Sequence, residues 1–365
     1  MYMTQSGHKT AVFLQKFVII MRKHQFLLLC GLLCAPCMAV ADGDGDESGE
    51  DKVNYMPQLH GTVRAKYEYE PDIDASRFQV RNARVSLEGN VIKAVGYKAE
   101  IDLSDEGNIK MLDAYAKITP FDNFDFTIGQ MRVPFTIDAH RSPHKQYFAN
   151  RSFIAKQVGN VRDVGATLGY RVDCKVPVII QAGLFNGSGL TDQKDYWTSE
   201  INYSAKVQLL LPKGVTTVLS LQKIKPDEVG IHMYDVGLTW QRRRWTVEGE
   251  YLYKHYRHDA FDDVNAVDAF ACYDLPLSKV FSKISFLMRY DYMDDHSDGE
   301  ADEETGLLVV DDPQRHRLTW GITLSMHKVF TSDIRINYEK YIYDDDVEPA
   351  VSEQDKFVIE FMIHF

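Results

Sequence analysis

Apolar and polar residues alternate one by one along most of the chain after residue 57. The final nine residues, Phe357–Phe365, show this pattern most clearly. Their odd-numbered positions are all large and apolar, and the even-numbered positions between them are mixed: Val358, Glu360, Met362 and His364. Because successive side chains of a strand point to opposite faces, this alternation predicts a β-strand with one apolar face.

The same alternation recurs in about sixteen segments, which predict an all-β protein. They lie at 59–69, 77–89, 97–103, 112–118, 124–133, 164–170, 176–184, 201–211, 215–224, 234–240, 245–253, 267–275, 284–292, 318–324, 334–338 and 357–365. In the fourth segment, Leu112 and Ala114 are expected on the apolar face and Asp113 on the other. An even number of antiparallel strands suits a barrel in which the last strand pairs with the first and leaves no open edge.

The connections between the predicted strands alternate in length, and aromatic residues gather near strand ends. Short connections at 119–123, 212–214, 241–244, 275–283 and 327–332 alternate with long acidic ones at 259–263, 294–304 and 344–348. No stretch after residue 41 has the ~20 apolar residues that a spanning helix needs. The pattern therefore predicts a transmembrane antiparallel β-barrel with an apolar outer face and a wet interior; the alternative is a soluble β-sandwich ending in an edge strand.

The N-terminal region predicts export and a flexible spacer before the barrel. Residues 1–41 have a basic stretch, an apolar run and a small-residue Ala-Val-Ala end, which is typical of a signal peptide, and Met21 is an alternative start. Residues 42–56 are acidic and rich in glycine, which favours a linker, and the barrel domain covers 57–365. Cys174 and Cys272 are too few for a disulfide framework, so we expect isolated thiols, with one bridge as the alternative.

The whole chain has a formal charge of −12, and its predicted leader contains four cations and no acid, so the barrel is more acidic still. This charge argues against nucleic acid as a partner. No convincing catalytic spacing, nucleotide fingerprint or zinc pattern is present, so the sequence predicts no enzyme, no cofactor and no metal site. A hydrolase on a membrane barrel and a non-conducting structural or adhesin barrel are the alternatives.

The long connection after the fifth strand differs from the others because it is basic. It has a single acid between residues 133 and 161, and its flanks and interior carry Arg132, His140, Arg141, His144, Lys145, Arg151, Lys156 and Arg162. A barrel of about sixteen strands is wide enough for a water channel unless something narrows it. Folded inward, this third loop would form an electropositive constriction that favours anions. The alternative is an external loop with solvated charges.

The inward faces of several strands add further cations to this predicted path. Arginine suits phosphate and carboxylate groups, so a column of basic residues would make a weak, multi-site anion path. The inward cations are Arg64, Lys66, Arg84, Lys98, Lys117, Arg317 and Arg335. Acids share this face, among them Glu100, Asp113 and Glu248. The alternative is therefore that cross-strand ion pairs take up these cations.

Ordered motifs in the chain resemble a known family. They are Asp113-Ala-Tyr115 with Pro120, Gly129-Gln130 with Val133-Pro-Phe135, Arg151-Ser152, Arg162-Asp163-Val-Gly165 and Gly183-Leu-Phe-Asn-Gly187. Together they resemble the phosphate-selective porin O/P family of bacterial outer-membrane channels. A terminal phenylalanine, here Phe365, is similar to the C-terminal signature of outer-membrane proteins, which engage the barrel-insertion machinery through that strand.

The resemblance implies a trimeric barrel in the bacterial outer membrane, surrounded by lipid and lipopolysaccharide, whose third loop folds into the pore. It implies passive passage of small hydrophilic solutes, with phosphate or related anions favoured. Arg81 matches a family arginine on the second strand, but phosphate-selective members carry another arginine where this chain has Asn82. Asp102 matches an acid beside the anion site, and Arg64 lies near a first-strand arginine. The resemblance leaves phosphate specificity itself open.

Overall fold

The structure, a computed structural model, describes residues 55–365 except 160, 191–192, 228, 303–304, 311, 328–329, 344–346 and 348. The predicted signal peptide, the alternative start at Met21 and most of the predicted linker lie outside the described residues. In the part of the chain that is described, no helix is both long and apolar enough to cross a membrane. Cys174 in a turn and Cys272 on a strand are both free thiols.

Sixteen antiparallel strands close into one barrel, which confirms the predicted fold class. Each strand pairs with its neighbours in the sequence, and β1 pairs with β16 from Thr62 opposite His364 to Tyr69 opposite Phe357. The strands are β1 Gln58–Glu70, β2 Ala75–Ile92, β3 Val95–Asp105, β4 Asn108–Ile118, β5 Phe124–Arg132, β6 Arg162–Val172, β7 Val178–Phe185, β8 Asn202–Leu211, β9 Val215–Ile224, β10 Ile231–Arg242, β11 Trp245–Tyr256, β12 Val264–Pro276, β13 Lys283–Met293, β14 Arg315–His327, β15 Thr331–Tyr343 and β16 Lys356–His364.

The two ends of the barrel differ in the length of their connections. Connections of two to six residues join the strands at the end where β1 begins and β16 ends, which we call the short-turn end. The other end, the long-loop end, includes connections such as 133–161 and 294–314. Helical structure is confined to connections: the α-helix α1 at Phe153–Lys156 and 3-10 turns at Pro143–Lys145, Pro212–Gly214, Arg257–Asp259 and Val351–Glu353.

The alternating pattern separates the two faces of the barrel wall. On β16, Phe357, Ile359 and Phe361 are exposed on the outside, whereas Val358 and Glu360 are fully buried on the inside. This arrangement removes apolar side chains from water only if the outside is in lipid, as the sequence predicts.

The strand register is irregular at several points, which include a bulge at Arg81 on the second strand and one on the fourth strand. On β4, Asp113 pairs with Glu100 but Met111 pairs with Ile101, so Leu112 is an extra residue without a partner on β3. Leu112 is buried, and Met111 takes the exposed position that the sequence pattern assigned to Leu112. The prediction for Leu112 is therefore wrong, because strict alternation cannot locate an inserted residue.

The third loop, residues 133–161, lies inside the barrel. Its apolar side chains are fully buried and form a core with inward residues of the wall: Val133, Phe135, Ala139, Phe153, Ile154, Ala155 and Val158 on the loop, and Ile231, Met233, Leu252, Ala266 and Met293 on the wall. A water-filled barrel has no apolar core of its own, so this cluster holds the loop against one side of the lumen.

Barrel closure depends on a close contact between the two termini of the barrel. Gly61 and Phe365 exchange two backbone hydrogen bonds of 2.8 and 3.0 Å. The Phe365 ring lies directly over Gly61, where a Cβ would come within 2.2 Å of the ring. Only glycine lets the terminal ring fold back onto the first strand.

We expect Gly61→Leu to lower the thermal stability of the folded barrel. The new side chain must displace the Phe365 ring, and overpacking of this kind costs about 1–3 kcal/mol. The unfolding temperature can be followed by the mobility shift of unheated and heated protein in a denaturing gel. Val63→Leu, on the same outer face of β1, is the matched control and should unfold like the wild type.

Candidate pore constriction

The third loop is attached to the wall by backbone hydrogen bonds along most of its length. On the side of β8 and β9, Ser204 Oγ donates to the Pro134 carbonyl at 2.6 Å, and Thr136 N–H donates to Ser220 Oγ at 3.1 Å. On the side of β15, Ala149 N–H donates to Asn337 Oδ1 at 2.8 Å. These bonds satisfy polar backbone groups that would otherwise be buried without partners, so they fix the path of the loop.

Three wall arginines hold the stretch just before α1. Arg64 Nη2 donates to the carbonyl of residue 149 at 2.7 Å, Arg289 Nη1 to that of residue 150 at 3.0 Å, and Arg317 Nη2 to that of residue 151 at 2.7 Å. The same side chains are bound to buried carboxylates: Arg64 to Glu360 at 2.5 Å, and Arg289 and Arg317 to Asp291, both at 2.9 Å. Charge-assisted hydrogen bonds of this kind are stronger than neutral ones, so these arginines hold the backbone of the loop firmly against the wall.

Arg141 fastens the loop to the wall at β11. Its Nη2 donates to both carboxylate oxygens of Glu248 on β11 at 2.8 Å, and its Nη1 donates to Asp138 at 3.0 Å. Asp138 also accepts hydrogen bonds from the backbone and hydroxyl of Ser152, both at 3.0 Å. Burial alone would raise the pKa of Asp138, but Arg151 and Arg141 lower it to about 2. Asp138 therefore stays ionised and joins both halves of the loop.

These contacts place two of the predicted pore-lining residues, Arg64 and Arg141, in ion pairs. Arg64 is only 2% exposed, and its donors are bound to Glu360, Asn82 and the loop backbone. Arg141 is bound by two carboxylates and stacks over Tyr147 at 5.0 Å. Neither is a free cation on the water path, because a guanidinium that is neutralised and enclosed presents little field to a passing ion. Both hold the loop instead.

The wall from β2 to β6 faces the side of the lumen that these attachments leave free, and it carries a network of paired charges. Arg84 binds Asp102 at 2.8 Å and lies 3.7 Å from Glu100. Arg162 and Lys98 complete the network: Arg162 binds Asp113 at 2.6 Å and Glu100 at 3.2 Å, and Lys98 binds Glu100 at 3.1 Å. Three cations and three carboxylates cancel, so this network stiffens the wall without setting a net charge.

Two arginines beside this network have no such partner. Arg132 donates to the carbonyl of residue 140 at 2.9 Å, and Arg151 donates to the carbonyls of residues 138 and 141. In the described part of the chain, no carboxylate lies within 4 Å of either guanidinium. Arg132 also stands directly opposite Arg162 across the β5–β6 ladder. Like charges in direct opposition are unfavourable, so this position has a positive field available to an anion.

The remaining predicted residues lie at different levels of the lumen. Arg81 is the extra residue of the β2 bulge and pairs with Glu106 near the long-loop end. Lys117 lies towards the short-turn end, where its half-exposed side chain is 3.6 Å from Asp125.

Lys145, at the tip of the third loop, is exposed and makes no ion pair with a described residue. Asp102 is completely buried and binds Arg84, so it is part of the wall network.

The sequence-based prediction missed the residues that attach the loop. Asp138 is the single acid in the third loop, and an isolated acid in a basic segment is a signal that could have identified it. Glu248 and Asp291 gave no such signal, because inward acids are common on the strands.

His144 and His364 join the loop tip to the C-terminal strand. Their rings stack with centroids 3.9 Å apart and an angle of 7° between their planes. Nδ1 of His364 donates to the Gly61 carbonyl at 3.0 Å, which fixes the orientation of its ring. This stack is the contact through which the tip of the third loop reaches the terminal strand.

We expect acid to loosen this contact. Burial, followed by the proximity of His364 and Lys145, lowers the pKa of His144 from 6.5 to about 4. A released tip would bind a proton more readily than a docked one, so docking is strongest above pH 6.5 and weakens as the pH falls towards 4. Single-channel recordings should show more frequent current fluctuations at the acid end of this range. His144→Phe keeps the stacked ring but does not titrate, and it should lose the pH dependence; if it keeps it, another group is responsible.

Comparisons with known proteins agree with this architecture. No curated protein matches the chain. An anion-selective porin from Comamonas acidovorans superposes with a TM-score of 0.60 at 12% identity, covering 85% of this chain and 98% of the porin. OmpT of Vibrio cholerae in its trimer form gives 0.58 at 11% identity, covering 85% and 99%. The outer-membrane channel DcaP of Acinetobacter baumannii gives 0.57 at 14% identity, covering 85% and 97%.

These superpositions establish the fold. The sequence model of the family described as phosphate-selective porin O and P matches residues 53–224, from the start of the barrel through the third loop to the end of β9. This match, which covers a little under half of the chain, confirms the resemblance to the phosphate-selective porin O and P family over these residues, and the whole barrel shares its fold with outer-membrane porins.

Proposed function

We propose that this outer-membrane porin lets small hydrophilic solutes diffuse passively and favours anions at the level of the third loop. The observation that carries the proposal is the pair Arg132 and Arg151, which are bound only by backbone carbonyls. Around them, Arg84, Lys98 and Arg162 are balanced by Glu100, Asp102 and Asp113. Asp138 offsets part of the charge of Arg151, whose proximity lowers the pKa of that carboxyl, so the constriction keeps an excess of positive charge that is largest at Arg132.

A local excess of this size is enough to bias ion passage. Charges in a narrow opening with low-dielectric walls act more strongly than the same charges in bulk water. His140 adds no further positive charge, because burial, Lys206 and Arg132 lower its pKa well below the ordinary value. The acidic character of the chain as a whole lies elsewhere, on the long outer connections and in wall ion pairs.

The proposed solutes are phosphate or related small anions, as the family name suggests. Asn82 occupies a position where phosphate-selective members carry arginine, and it binds Asp102 at 2.8 Å. Asp102 also binds Arg84, so two potential anion-binding groups are already engaged. We therefore propose weak, multi-site passage of anions instead of tight phosphate binding.

We further propose a homotrimer. The outward faces of β3 to β8 carry small side chains among larger ones, and two pairs stand opposite each other across the ladders: Ala99 with Ala114 and Ala182 with Ala205. The outward faces of β10 to β16 are richer in exposed Tyr, Trp and Phe. Small side chains on an outward face allow close packing of subunits within lipid. OmpT of Vibrio cholerae, which has the same fold, is described in a trimer form. The molar mass of the purified protein in detergent tests the proposed homotrimer, and the mass of a monomer would overturn it.

The remaining partner predictions also stay proposals. Lipid and lipopolysaccharide would contact the aromatic outer face. The barrel-insertion machinery would engage β16, where Phe365 is 45% exposed on the outer surface. The absence of enzymatic activity remains a prediction from the sequence.

The ionic selectivity of the purified protein in a planar bilayer tests the main proposal. Under a tenfold KCl gradient, we expect a reversal potential whose sign shows chloride to be more permeant than potassium. A potential of the opposite sign would overturn the anion preference, and a failure to conduct would overturn the channel.

A further inference from the structure

A cavity of about 310 Å³ lies between the tip of the third loop and the wall formed by β1, β2, β3 and β16, towards the short-turn end. We call it the vestibule cavity. Its volume corresponds to about ten water molecules at ~30 Å³ each, far more than a bare tetrahedral oxyanion needs. It lies at the lower end of the range for small-molecule sites, about 300–1,000 Å³.

Three cations and two carboxylates line this cavity. Lys145, on the loop side, is exposed and has no carboxylate within 4 Å among the described residues. Arg84 and Lys98, on the wall side, share Glu100, and Arg84 is also bound by Asp102 behind it. The second carboxylate, Glu88, is 44% exposed. Lys145 is therefore the cation of this lining that no described carboxylate pairs, and one such cation matches a monoanion better than a dianion.

Hydroxyl groups occupy the surface between these charges. The hydroxyls of Ser86 on the wall and Ser142 on the loop make no hydrogen bond to a described residue, and both residues line the cavity. Thr62 lies beside them, with its Oγ1 2.9 Å from Nδ1 of His364. Free hydroxyls and carboxylate oxygens pair well with the hydroxyl groups of a solute, and an apolar solute would leave them unsatisfied.

We propose that the vestibule cavity is a binding site for small polyhydroxylated carboxylates, such as a sugar acid. Lys145 binds the carboxylate, and Ser86, Ser142 and Glu88 bind hydroxyl groups. The stacked rings of His144 and His364 close one side of the site. The proposal rests on the proposed diffusion path, because solutes reach this cavity through the lumen, and it narrows the solute class from anions in general.

Blocking of the chloride current tests the proposal with matched probes. Gluconate has both a carboxylate and several hydroxyl groups. Acetate has the carboxylate without the hydroxyl groups, and glucose has hydroxyl groups without the charge. Inorganic phosphate is an anion without a carbon chain. We expect gluconate to reduce the current half-maximally at a concentration about tenfold lower than any of the other three, a factor that corresponds to about 1.4 kcal/mol. Equal concentrations for gluconate and acetate would overturn the proposal and leave the anion channel intact.

Two variants locate the site. Lys145→Ala removes a charge-assisted contact, and Ser86→Ala removes a hydroxyl contact; each should raise the half-maximal concentration of gluconate, Lys145→Ala by about tenfold. Lys213→Ala, in the exposed turn Pro212–Gly214, is the control and should leave it unchanged. An unchanged value for Lys145→Ala would overturn the assignment.

Calorimetric titration of the detergent-solubilised protein separates this proposal from the channel itself. Gluconate should bind and glucose should not, whether or not the protein conducts. Binding without conductance would overturn the proposed function alone, whereas conductance without gluconate binding would overturn only the site.

Discussion

Replacing Arg141 by glutamate is expected to raise the single-channel conductance several-fold. The substitution places a carboxylate against Glu248, which is only 1% exposed, and against Asp138. Breaking a buried ion pair by removing one partner costs about 3–5 kcal/mol, and here repulsion is added. The strand ladders do not involve this residue, so we expect the barrel to close while the third loop leaves the wall and the lumen widens.

The conductance of reconstituted channels, measured in symmetric KCl, checks this expectation. Arg171→Glu makes the same charge change at an exposed ion pair near a short turn and should conduct like the wild type. The double variant Arg141→Glu with Glu248→Arg restores opposite charges and should recover most of the small conductance. A wild-type conductance in Arg141→Glu would show that this pair does not hold the loop.

The second large effect concerns the ion selectivity of the channel, whereas the first concerns its conductance. We expect Arg132→Glu to abolish the anion preference, because it changes the charge of the constriction by two and so removes its excess of positive charge. The new carboxylate would stand opposite Arg162, with which it can pair across the ladder. Arg132 holds the loop by a single hydrogen bond to the carbonyl of residue 140, and such a bond is worth about 1.5–3 kcal/mol for a charged donor. The conductance should therefore change less than in Arg141→Glu.

The reversal potential under a KCl gradient measures this effect and should approach zero. Arg132→Gln removes only one charge and should give an intermediate value. Lys117→Glu makes the same change nearer the short-turn end, at a half-exposed pair with Asp125, and should shift the potential much less. An Arg132→Glu channel that keeps the wild-type potential would place the filter elsewhere in the lumen.

The two variants distinguish attachment of the loop from its electrostatic effect. Arg141→Glu should alter both conductance and selectivity, since a displaced loop removes Arg151 from the constriction. Arg132→Glu should alter selectivity with little change in conductance. If Arg132→Glu instead changed the conductance strongly and Arg141→Glu changed only the selectivity, Arg132 would be the residue that attaches the loop and Arg141 the residue that sets the selectivity.

The number and closure of the strands follow from the sequence because side-chain alternation is a local property. Each strand pairs with the strand next to it in the chain, so apolar periodicity and connection length are sufficient to predict the barrel. The prediction failed at the β4 bulge, where Leu112 is inserted without any change in the apolar pattern. The basic composition of the third loop was also visible in the sequence.

The roles of individual cations required the tertiary structure. Arg64 meets Glu360, 296 residues away, and Arg141 meets Glu248, 107 residues away. Nothing in the local sequence distinguishes these arginines from Arg132, which meets only a backbone carbonyl. The sequence by itself determined a closed barrel with a basic loop after its fifth strand. Only the folded chain decided which positive charges are neutralised and which remain free, because that depends on distances across the lumen between residues far apart in sequence.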